Sequence, residues 1–350
     1  MTQSAIKEFA PPLIAWQKTH GRHDLPWQNT RDPYKVWLSE IMLQQTQVVT
    51  VKDYFARFLA AHPTVASLAN ASLDDVLALW SGLGYYSRAR NMHRCAQDVV
   101  ALYGGAFPET AEVLQTLPGI GPSTAAAIAS LCFSERVAIL DGNVKRVLTR
   151  LLGFDADLAK SANEKALWAL ATSVLPSDDL WTAMPRYTQG VMDLGATLCT
   201  TRSPNCLLCP VEKLCVAKKQ GNPEAFPVKT KTLKRSSQSL WLLWATQAEG
   251  SVYLEQRPTP GVWAALYCLP VFESYEALTA AVSPDAALLL EDGEVFKHVL
   301  THKDLHIHPV RLQLAKKAKH AALKIKGNWV AADAWPKLGL PAPVRRLLTL

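Results

Sequence analysis

The chain has 350 residues, of which 37 are lysine or arginine and 30 are acidic, so its formal net charge at pH 7 is +7. Hydrophobic residues make up 49% and charged residues 19%, which excludes wholesale disorder and provides enough apolar material for a packed core. At roughly 150 residues per domain, the length suggests about two domains. The modest basic excess suits a polyanion such as nucleic acid without proving one.

No uncharged apolar run approaches the roughly 18–20 residues that a membrane-spanning helix needs. The segment 1–16 contains Lys7, Glu8 and a Pro11-Pro12 pair, and it lacks the basic start, apolar run and cleavage site of a secretory signal. We therefore expect a cytoplasmic protein.

Residues 1–215 have a helical pattern, because apolar side chains recur at steps of three and four, as in the series Ile6, Phe9, Leu13 and Trp16. A further apolar series, Val36, Leu38, Ile41 and Val48, is also interpreted as helical. Strands are predicted over 240–245 and 251–254, and clear alternation over 306–314 predicts a half-buried strand. Between these regions, the polar and basic stretch 220–239 predicts a solvated linker. The chain is therefore expected to contain an all-helical domain followed by a smaller α+β domain.

The octapeptide 117–124, Leu-Pro-Gly-Ile-Gly-Pro-Ser-Thr, predicts a helix end, a tight turn and a new helix with Pro122 in its first turn. Gly119 and Gly121 leave backbone N–H groups open, and the following helix presents the positive end of its dipole. Such a turn fits a phosphate and would hold DNA without reading its sequence. A helix corner without a ligand explains the octapeptide equally well.

Two acidic residues stand in contexts that suit catalysis, although each has an ordinary alternative. Glu40 is flanked by apolar neighbours, and a carboxyl in an apolar pocket has a raised pKa and can hold a proton near neutral pH. The alternative is a glutamate on the wet face of an amphipathic helix. Asp141 follows a short apolar run and precedes a helical pattern, which by itself favours an N-cap over catalysis.

The segment 80–90 contains two glycines, two tyrosines, and then Arg88 and Arg90. An exposed loop tip of this composition suits stacking on bases and pairing with phosphates. The alternative is a helix corner whose aromatic side chains pack inward. Gln44, Gln45 and Gln47 form an amide-rich patch that could contact base edges or simply face water.

Four of the seven cysteines lie close together in the sequence: Cys199, Cys206, Cys209 and Cys215. In a reducing compartment this spacing predicts metal ligation and not disulfides. Four thiolates can hold zinc or an iron–sulfur cluster, and their chemistry does not choose between the two. The remaining Cys95, Cys132 and Cys268 have apolar neighbours and are predicted to be buried.

Taken in order, these segments resemble the MutY-type adenine DNA glycosylases of the helix–hairpin–helix superfamily. The motifs that match, besides the four cysteines, are the segments 25–27, 32–40, 42–46, 82–86, 117–121 and 140–144. The resemblance covers about residues 1–220 and implies an all-helical glycosylase domain with its hairpin at 117–124. In this family the cysteines at 199–215 would hold a [4Fe–4S] cluster.

The resemblance also implies roles for single residues. Glu40 is expected to protonate an imidazole-ring nitrogen of adenine and later to activate water, Asp141 to stabilise the oxocarbenium-like sugar, and Asn143 to support sugar and phosphate. DNA contacts are expected from Gln45, Tyr85, Gly119, Gly121, Ser123 and Arg202. The extruded adenine is expected to lie against Gln28, Leu43, Gln189 and Met192.

Bifunctional relatives, which resemble endonuclease III, carry a lysine where this chain has Ser123. A lysine amine can attack the sugar and form a Schiff base, which serine cannot, so we expect a monofunctional glycosylase. Lys145 is a weaker candidate for such an amine. The alternatives are a bifunctional glycosylase/lyase and a non-enzymatic DNA-binding module, in which Asp141 is only a helix cap and Glu40 a surface charge.

Residues 237–350, after a linker at 221–236, resemble more loosely the MutT-like (Nudix-like) α+β recognition domain of the same family, through the segments 260–270 and 296–302. The family recognises 8-oxoguanine with a Phe-Ser-His turn, and this chain has Leu300, Thr301 and His302 there, without the aromatic wedge. No Glu-rich phosphohydrolase box is present, so this domain is expected to bind and not to hydrolyse. The expected partner is double-stranded DNA with A:8-oxoguanine or A:G mispairs, bound by a monomer at the nucleoid.

Overall fold

The computed structural model describes residues 8–230, 234–315 and 322–349. The chain divides into two compact units. The first unit contains the described residues of 1–69 and 94–232, and the second contains those of 70–93 and 233–350. Each unit has its own buried apolar clusters and is described separately below.

Helices dominate residues 8–230. In chain order they are α1 (Ala10–His20), α2 (Pro33–Leu43), α3 (Val48–Ala61), α4 (Val65–Ala69), α5 (Leu73–Trp80), α6 (Ser87–Tyr103), α7 (Ala111–Leu114), α8 (Pro122–Phe133), α9 (Gly142–Leu152), α10 (Ser161–Ser173), α11 (Leu180–Thr197) and α12 (Val216–Lys219). Helix α5 belongs to the second unit, and the boundary at 93/94 falls within α6.

Local signals determine where several of these helices begin. The Asp32 side chain accepts a hydrogen bond from the backbone N–H of Tyr34 and caps α2, while Pro122 occupies the first turn of α8 as predicted. The main buried cluster of the first unit joins α1, α8, α9, α10 and α11. Ile139 and Leu140 are buried in this cluster, which anchors the backbone immediately before Asp141.

A sheet forms the centre of the second unit. Its strands are β1 (Ser236–Gln247), β2 (Val252–Gln256), β3 (Tyr267–Cys268), β4 (Val271–Phe272), β5 (Leu290–Asp292), β6 (Phe296–Val299), β7 (Lys303–Leu314) and β8 (Asn328–Val330). The helices of this region are α13 (Tyr275–Ala280), α14 (Pro284–Ala287) and α15 (Ala342–Leu348). The path through the sheet is β3-β2-β1-β7-β5, with β4 paired to β1, β6 to β7 and β8 to β2.

The long strands β1 and β7 run parallel, with Ser236 opposite Lys303 and Gln247 opposite Leu314. Alternate residues of β1 enter different apolar clusters: Leu240 and Leu242 pack with α15, whereas Leu243 and Ala245 pack with α13 and α14. Because side chains of a strand alternate between its faces, helices cover both sides of this sheet. The region is thus a sheet between helices.

Several predictions about the elements are confirmed. The strands expected at 240–245, 251–254 and 306–314 lie within or overlap β1, β2 and β7, and Cys95, Cys132 and Cys268 are buried. The helical pattern through Val48 is interrupted, however, because α2 ends at Leu43 and Gln45 adopts a φ of 57° in the turn before α3. In the described residues, no helix is long and apolar enough to cross a bilayer.

The linker at 221–236 and the domain boundaries on either side of it remain predictions. A short 3-10 turn at Pro223–Ala225 lies within it, β1 begins at its last residue, and residues 231–233 lie outside the described part.

Candidate active site

The predicted hairpin is a turn between α7 and α8. Gly119 has a φ of 77°, a left-handed conformation that glycine adopts without strain, and Gly121 is the N-cap of α8 with open space where a Cβ would lie. Both glycines are exposed, so their backbones are accessible to a bulky group. Ser123 is half-buried, and its Oγ accepts a hydrogen bond from the backbone N–H of Leu140 at 3.1 Å. This bond brings the start of α8 next to Asp141.

Asp141 is the N-cap of α9, because its Oδ1 accepts a hydrogen bond at 2.7 Å from a backbone N–H of the first turn. The cap uses one of the two carboxylate oxygens. In the same turn, Oδ1 of Asn143 accepts from Nη2 of Arg146 at 2.8 Å. The Arg146 guanidinium also donates to the carbonyl groups of Gly195 and Cys199, both at 2.7 Å. Arg146 therefore holds Asn143 against the end of α11 and the start of the cysteine segment.

Glu40 lies in the last turn of α2, and the tertiary structure brings it close to Asp141. The residue keeps some solvent contact, but its carboxyl is enclosed by protein. The pKa of Glu40 is raised from 4.5 to about 7, chiefly by burial and secondly by the negative charge of Asp141. The two predicted catalytic acids thus share one region, and the environment of Glu40 favours its protonated form. Asn143 lies in the first turn of α9, two residues after Asp141.

A cavity of about 370 Å³ opens in the first unit beside α2. Val36, one helical turn before Glu40, is part of its lining, as are the predicted pocket residues Gln28 and Gln189. The predicted residues Leu43 and Met192 are half-buried but do not line this cavity. Ligand pockets commonly measure roughly 300–1,000 Å³, so the volume suits a small ligand or an extruded base. Three arginines also line the cavity: Arg22, Arg31 and Arg186.

Sequence reasoning missed a residue behind this cavity. Asp193 on α11 has no exposed surface, and its carboxylate accepts from Nε of Arg22 at 2.7 Å and from Nε2 of Gln189 at 2.9 Å. The backbone N–H of Arg22 donates to the other carboxylate oxygen at 3.1 Å. The spacing of four residues between Gln189 and Asp193, which places them on one helical face, was a usable signal.

The predicted DNA-contact residues of the first unit are exposed or half-buried. Gln45 is exposed in the turn after α2, and Arg202 is exposed in the loop after α11. The neighbouring Gln44 donates to Oγ1 of Thr124 at 3.4 Å, which ties that turn to the start of α8. Lys145, the weaker amine candidate, instead contacts Glu164, with Nζ and Oε1 2.5 Å apart. The amine is therefore engaged in an ion pair.

In the second unit, the glycine- and tyrosine-rich loop 82–86 presents Tyr85, which is 40% exposed and has a φ of 47°. Arg88 is only 8% exposed, so the interpretation of this arginine as a phosphate contact is wrong. Its guanidinium donates to the carbonyl groups of Leu83 and Gly84 and stacks over the ring of Tyr85. Arg88 therefore shapes the loop from within.

A second cavity of about 600 Å³ lies in the second unit. The predicted recognition residues Leu300, Thr301 and His302 line it, together with Tyr85 and Trp263. The hydroxyl groups of Tyr85 and Thr301 are in hydrogen-bond contact. Leu300 packs partly into the core, and its backbone N–H donates to the carbonyl of Lys303 at 2.8 Å in a tight turn. The turn 300–302 and the loop 82–86 thus form one surface.

The four clustered cysteines are half-buried neighbours. Cys206 begins a short 3-10 turn after α11, and Cys215 follows a second such turn. The pKa of Cys209 is raised to about 12, chiefly by burial and also by the other three cysteines. Arg150, nearly fully buried on α9, donates to Sγ of Cys199 at 3.4 Å. Across the described ranges, no group of three or more His, Cys, Asp or Glu side chains is arranged to hold a metal ion.

Comparison with protein families and relatives agrees with this architecture. Residues 38–172 match the HhH-GPD superfamily of base excision DNA repair proteins, and residues 241–350 match the NUDIX domain. The fold and the site thus define a helix–hairpin–helix DNA glycosylase fused to a Nudix-like domain. The chain is 35% identical over 350 residues to the adenine DNA glycosylase of Buchnera aphidicola subsp. Acyrthosiphon pisum, covering 97% of this chain and 96% of that protein. This chain belongs to the adenine DNA glycosylase family.

Three further comparisons extend this similarity. The adenine DNA glycosylase of Homo sapiens is 42% identical over 232 residues, which cover 63% of this chain and 41% of the human protein. A solved thermostable thymine-DNA glycosylase superposes with a TM-score of 0.54 at 29% identity, covering 62% of this chain and 98% of that one. An endonuclease III–DNA complex, at 22% identity and a TM-score of 0.52, shares the fold over 63% of this chain and 98% of that one.

Proposed function

We propose that this protein is a monofunctional DNA glycosylase that removes adenine mispaired with 8-oxoguanine or guanine during base excision repair, acting as a monomer on nucleoid DNA. The raised pKa of Glu40 beside Asp141 carries the proposal. A carboxyl with a pKa of about 7 can donate a proton at neutral pH, and a nearby carboxylate can stabilise developing positive charge. The relatives named adenine DNA glycosylase support adenine as the base.

The chemistry begins once the adenine has left the duplex, because a stacked base keeps its glycosidic bond out of reach. Protonated Glu40 gives its proton to a ring nitrogen of the base, which then leaves as a neutral molecule. The sugar becomes oxocarbenium-like, and Asp141 stabilises its charge through the carboxylate oxygen that the helix cap does not use. Glu40, now a base, takes a proton from the attacking water. Asn143, held by Arg146, supports the sugar and phosphate.

Adenine is bound in the 370 Å³ cavity against Gln28 and Gln189. Glu40 does not line this cavity, but Val36 of the lining lies one helical turn before it. The arginines of the cavity suit the phosphates that accompany an extruded nucleotide. Gly119 and Gly121 contact the strand through their backbones, with Ser123 beside them, and Gln45 and Arg202 add exposed contacts from neighbouring turns. Leu43 and Met192 remain candidate contacts at the edge of the site, outside the cavity lining.

The opposite base is recognised in the second unit. The 600 Å³ cavity combines an exposed ring, Tyr85, with the polar turn Thr301 and His302. A ring stacks on a purine, while hydroxyl and imidazole groups can bond to the extra N–H and carbonyl of 8-oxoguanine. Leu300 supplies apolar contact but no ring, so the rings available for stacking in this cavity include Tyr85 and Trp263.

We further propose that Cys199, Cys206, Cys209 and Cys215 hold a [4Fe–4S] cluster. The donor set fits, because the four sulfur atoms are neighbours and the buried guanidinium of Arg150 donates to Sγ of Cys199. A cluster is larger than a single ion, so its ligands stand further apart than those of one zinc. When bound, the cluster would cross-link the segment 199–215 through its four cysteines. An iron–sulfur cluster gives a brown protein, so absorption spectra and iron analysis test this assignment.

The monofunctional assignment rests on the amines near Asp141. Residue 123 is a serine whose hydroxyl already accepts a backbone N–H, and Lys145 is paired with Glu164. A Schiff base requires a free amine that can reach the sugar carbon. Neither position offers one, which favours simple hydrolysis over the lyase alternative.

The test is a single-turnover assay on duplexes that carry adenine opposite 8-oxoguanine, guanine or thymine. We expect excision opposite the first two and little opposite thymine. Glu40→Gln should abolish excision and leave binding to the A:8-oxoguanine duplex largely intact. Retained turnover in that variant would defeat the acid assignment, and no excision by the unaltered protein would favour the non-enzymatic binding module.

Recognition of the opposite base is tested separately. The double variant Thr301→Ala/His302→Ala should lose its preference for 8-oxoguanine over guanine opposite adenine, while excision opposite guanine continues. Tyr275→Ala, which removes an exposed aromatic ring outside the cavity, serves as the control. An unchanged preference in the double variant would assign lesion recognition to another surface.

A further inference from the structure

We infer that Asp193 determines which purine the 370 Å³ cavity accepts, by turning the amide of Gln189 so that its oxygen faces the ligand. The inference deepens the proposed adenine activity and rests on it. Asp193 does not line the cavity; it lies behind Gln189 with no exposed surface. It is therefore a positioning residue, and its effect reaches the base only through Gln189.

The orientation of the Gln189 amide follows from the chemistry of its partner. An ionised carboxylate can only accept hydrogen bonds, and Asp193 is paired with Arg22. Gln189 can therefore meet Oδ1 of Asp193 only with its NH₂ group, and the two atoms are 2.9 Å apart. The amide oxygen is then left to the cavity, where the described residues give it no hydrogen-bond partner. The usual ambiguity between amide oxygen and nitrogen is removed by the carboxylate.

The carboxylate itself is held on both oxygens. Arg22 donates through Nε to Oδ1 and through its backbone N–H to Oδ2. Gly21 permits this approach, since a Cβ there would lie 3.1 Å from Oδ2 of Asp193 and 2.6 Å from the carbonyl oxygen of Gln17. The orientation of Gln189 is consequently built into the fold before any base arrives.

A second amide in the cavity has the complementary orientation. Oε1 of Gln28 accepts from the backbone N–H of Leu25 at 3.4 Å, which leaves Nε2 as the group that can bind a ligand. That nitrogen is buried and has no partner within the described structure. A buried donor without a partner costs free energy, so an acceptor on the bound base would relieve it.

The fixed acceptor, Oε1 of Gln189, and the fixed donor, Nε2 of Gln28, match the hydrogen-bonding groups of adenine and mismatch those of 6-oxopurines. Adenine offers a 6-amino donor and acceptor ring nitrogens, whereas guanine and hypoxanthine offer a 6-oxo acceptor beside an N–H donor. A 6-oxo group placed at Oε1 of Gln189 would set two acceptors against each other. The cavity therefore selects 6-aminopurines, and Asp193 is the group that fixes this choice.

Asp193→Asn tests the inference. Asparagine has a single side-chain oxygen for these donors. With that oxygen on the backbone N–H of Arg22, its NH₂ takes the place of Oδ1 and can donate to Oε1 of Gln189, which turns the Gln189 NH₂ toward the cavity. We would measure single-turnover excision of adenine and of hypoxanthine opposite the same base. The adenine-to-hypoxanthine rate ratio should fall roughly 5- to 150-fold relative to the unaltered protein, as expected for one mismatched buried polar group. Asp178→Asn, an exposed change before α11, should keep the original ratio.

The outcomes separate the two proposals. If the unaltered protein excises no adenine, the proposed function fails before any variant is compared. If it excises adenine and Asp193→Asn keeps the original ratio, the inference about Asp193 is overturned while the function stands. Should Asp193→Asn fail to fold, Gln189→Leu carries the test, because it removes the acceptor that Asp193 orients. An unchanged ratio in Gln189→Leu would overturn the inference as well.

Discussion

Replacing Glu40 by glutamine should make the protein inactive but more stable above neutral pH. In the folded protein the pKa of Glu40 is raised from 4.5 to about 7, so the folded state binds more protons than the unfolded state between these two values. Below pH 4.5 Glu40 causes no loss in the free energy of unfolding. That free energy falls as the pH rises from 4.5 through 7, and it stays at the lower level above pH 7. Glutamine cannot ionise, so the variant escapes this loss.

The size of the expected gain in the free energy of unfolding follows from the two pKa values of Glu40. A rise from 4.5 to about 7 corresponds to about 3 kcal/mol, at about 1.36 kcal/mol per pKa unit. This is an upper bound on the gain in the free energy of unfolding of Glu40→Gln at pH 8. For a unit of roughly 200 residues, about 1 kcal/mol shifts Tm by about 2–4 °C, so the gain should be at most about 6–12 °C.

The assay compares thermal unfolding of the two proteins at pH 5 and pH 8. The difference in Tm should be small at pH 5 and large at pH 8. Asp141→Asn is the matched control, because asparagine preserves the helix cap and removes the charge that raises the pKa of Glu40. In that variant the pH-dependent loss should shrink. A Tm difference that is the same at both pH values would refute the burial of the Glu40 carboxyl and with it the acid assignment.

Three further outcomes can be checked with the same preparations. Ser123→Lys should increase borohydride trapping on cleaved DNA, because its amine would start beside Asp141; strong trapping by the unaltered protein would favour the lyase alternative. Arg146→Gln should slow excision and lower the free energy of unfolding by about 1.5–3 kcal/mol, since it removes charge-assisted bonds to Asn143 and two carbonyl groups. An unaltered Tm and excision rate would contradict the role of Arg146 in holding Asn143. Gly195→Ala should lower the free energy of unfolding by about 1–3 kcal/mol, because its Cβ would lie 2.8 Å from Cβ of Asn143. Gly142→Ala is the control, since its Cβ meets open space. Equal Tm values for the two variants would refute the steric argument.

Local patterns predicted much of the fold. Strand β7 follows from the alternation over 306–314, and the start of α8 follows from Pro122 after a glycine turn. The cap of α9 by Asp141 was equally visible. These features depend on residues within one or two turns of each other, so the sequence contains the interactions that create them.

Features that depend on packing between distant segments were predicted less well. Arg88 looks like a surface cation in the sequence, yet the loop folds over it and buries it. The turn at Gln45 interrupts an apolar periodicity that continues through Val48. The four-residue spacing places Asp193 on one helical face with Gln189, but its contacts with Arg22 form only when α11 lies against the residues that follow α1.

The sequence by itself determined the types of element, their order and the family resemblance, because periodicity, capping and motif spacing are local properties of the chain. Only the tertiary structure decided that Glu40 on α2 and Asp141 before α9 meet, and that Asp193 stands behind Gln189. The physical reason is that the pKa of a carboxyl and the direction of an amide depend on which groups pack around them, and those groups come from distant parts of the chain.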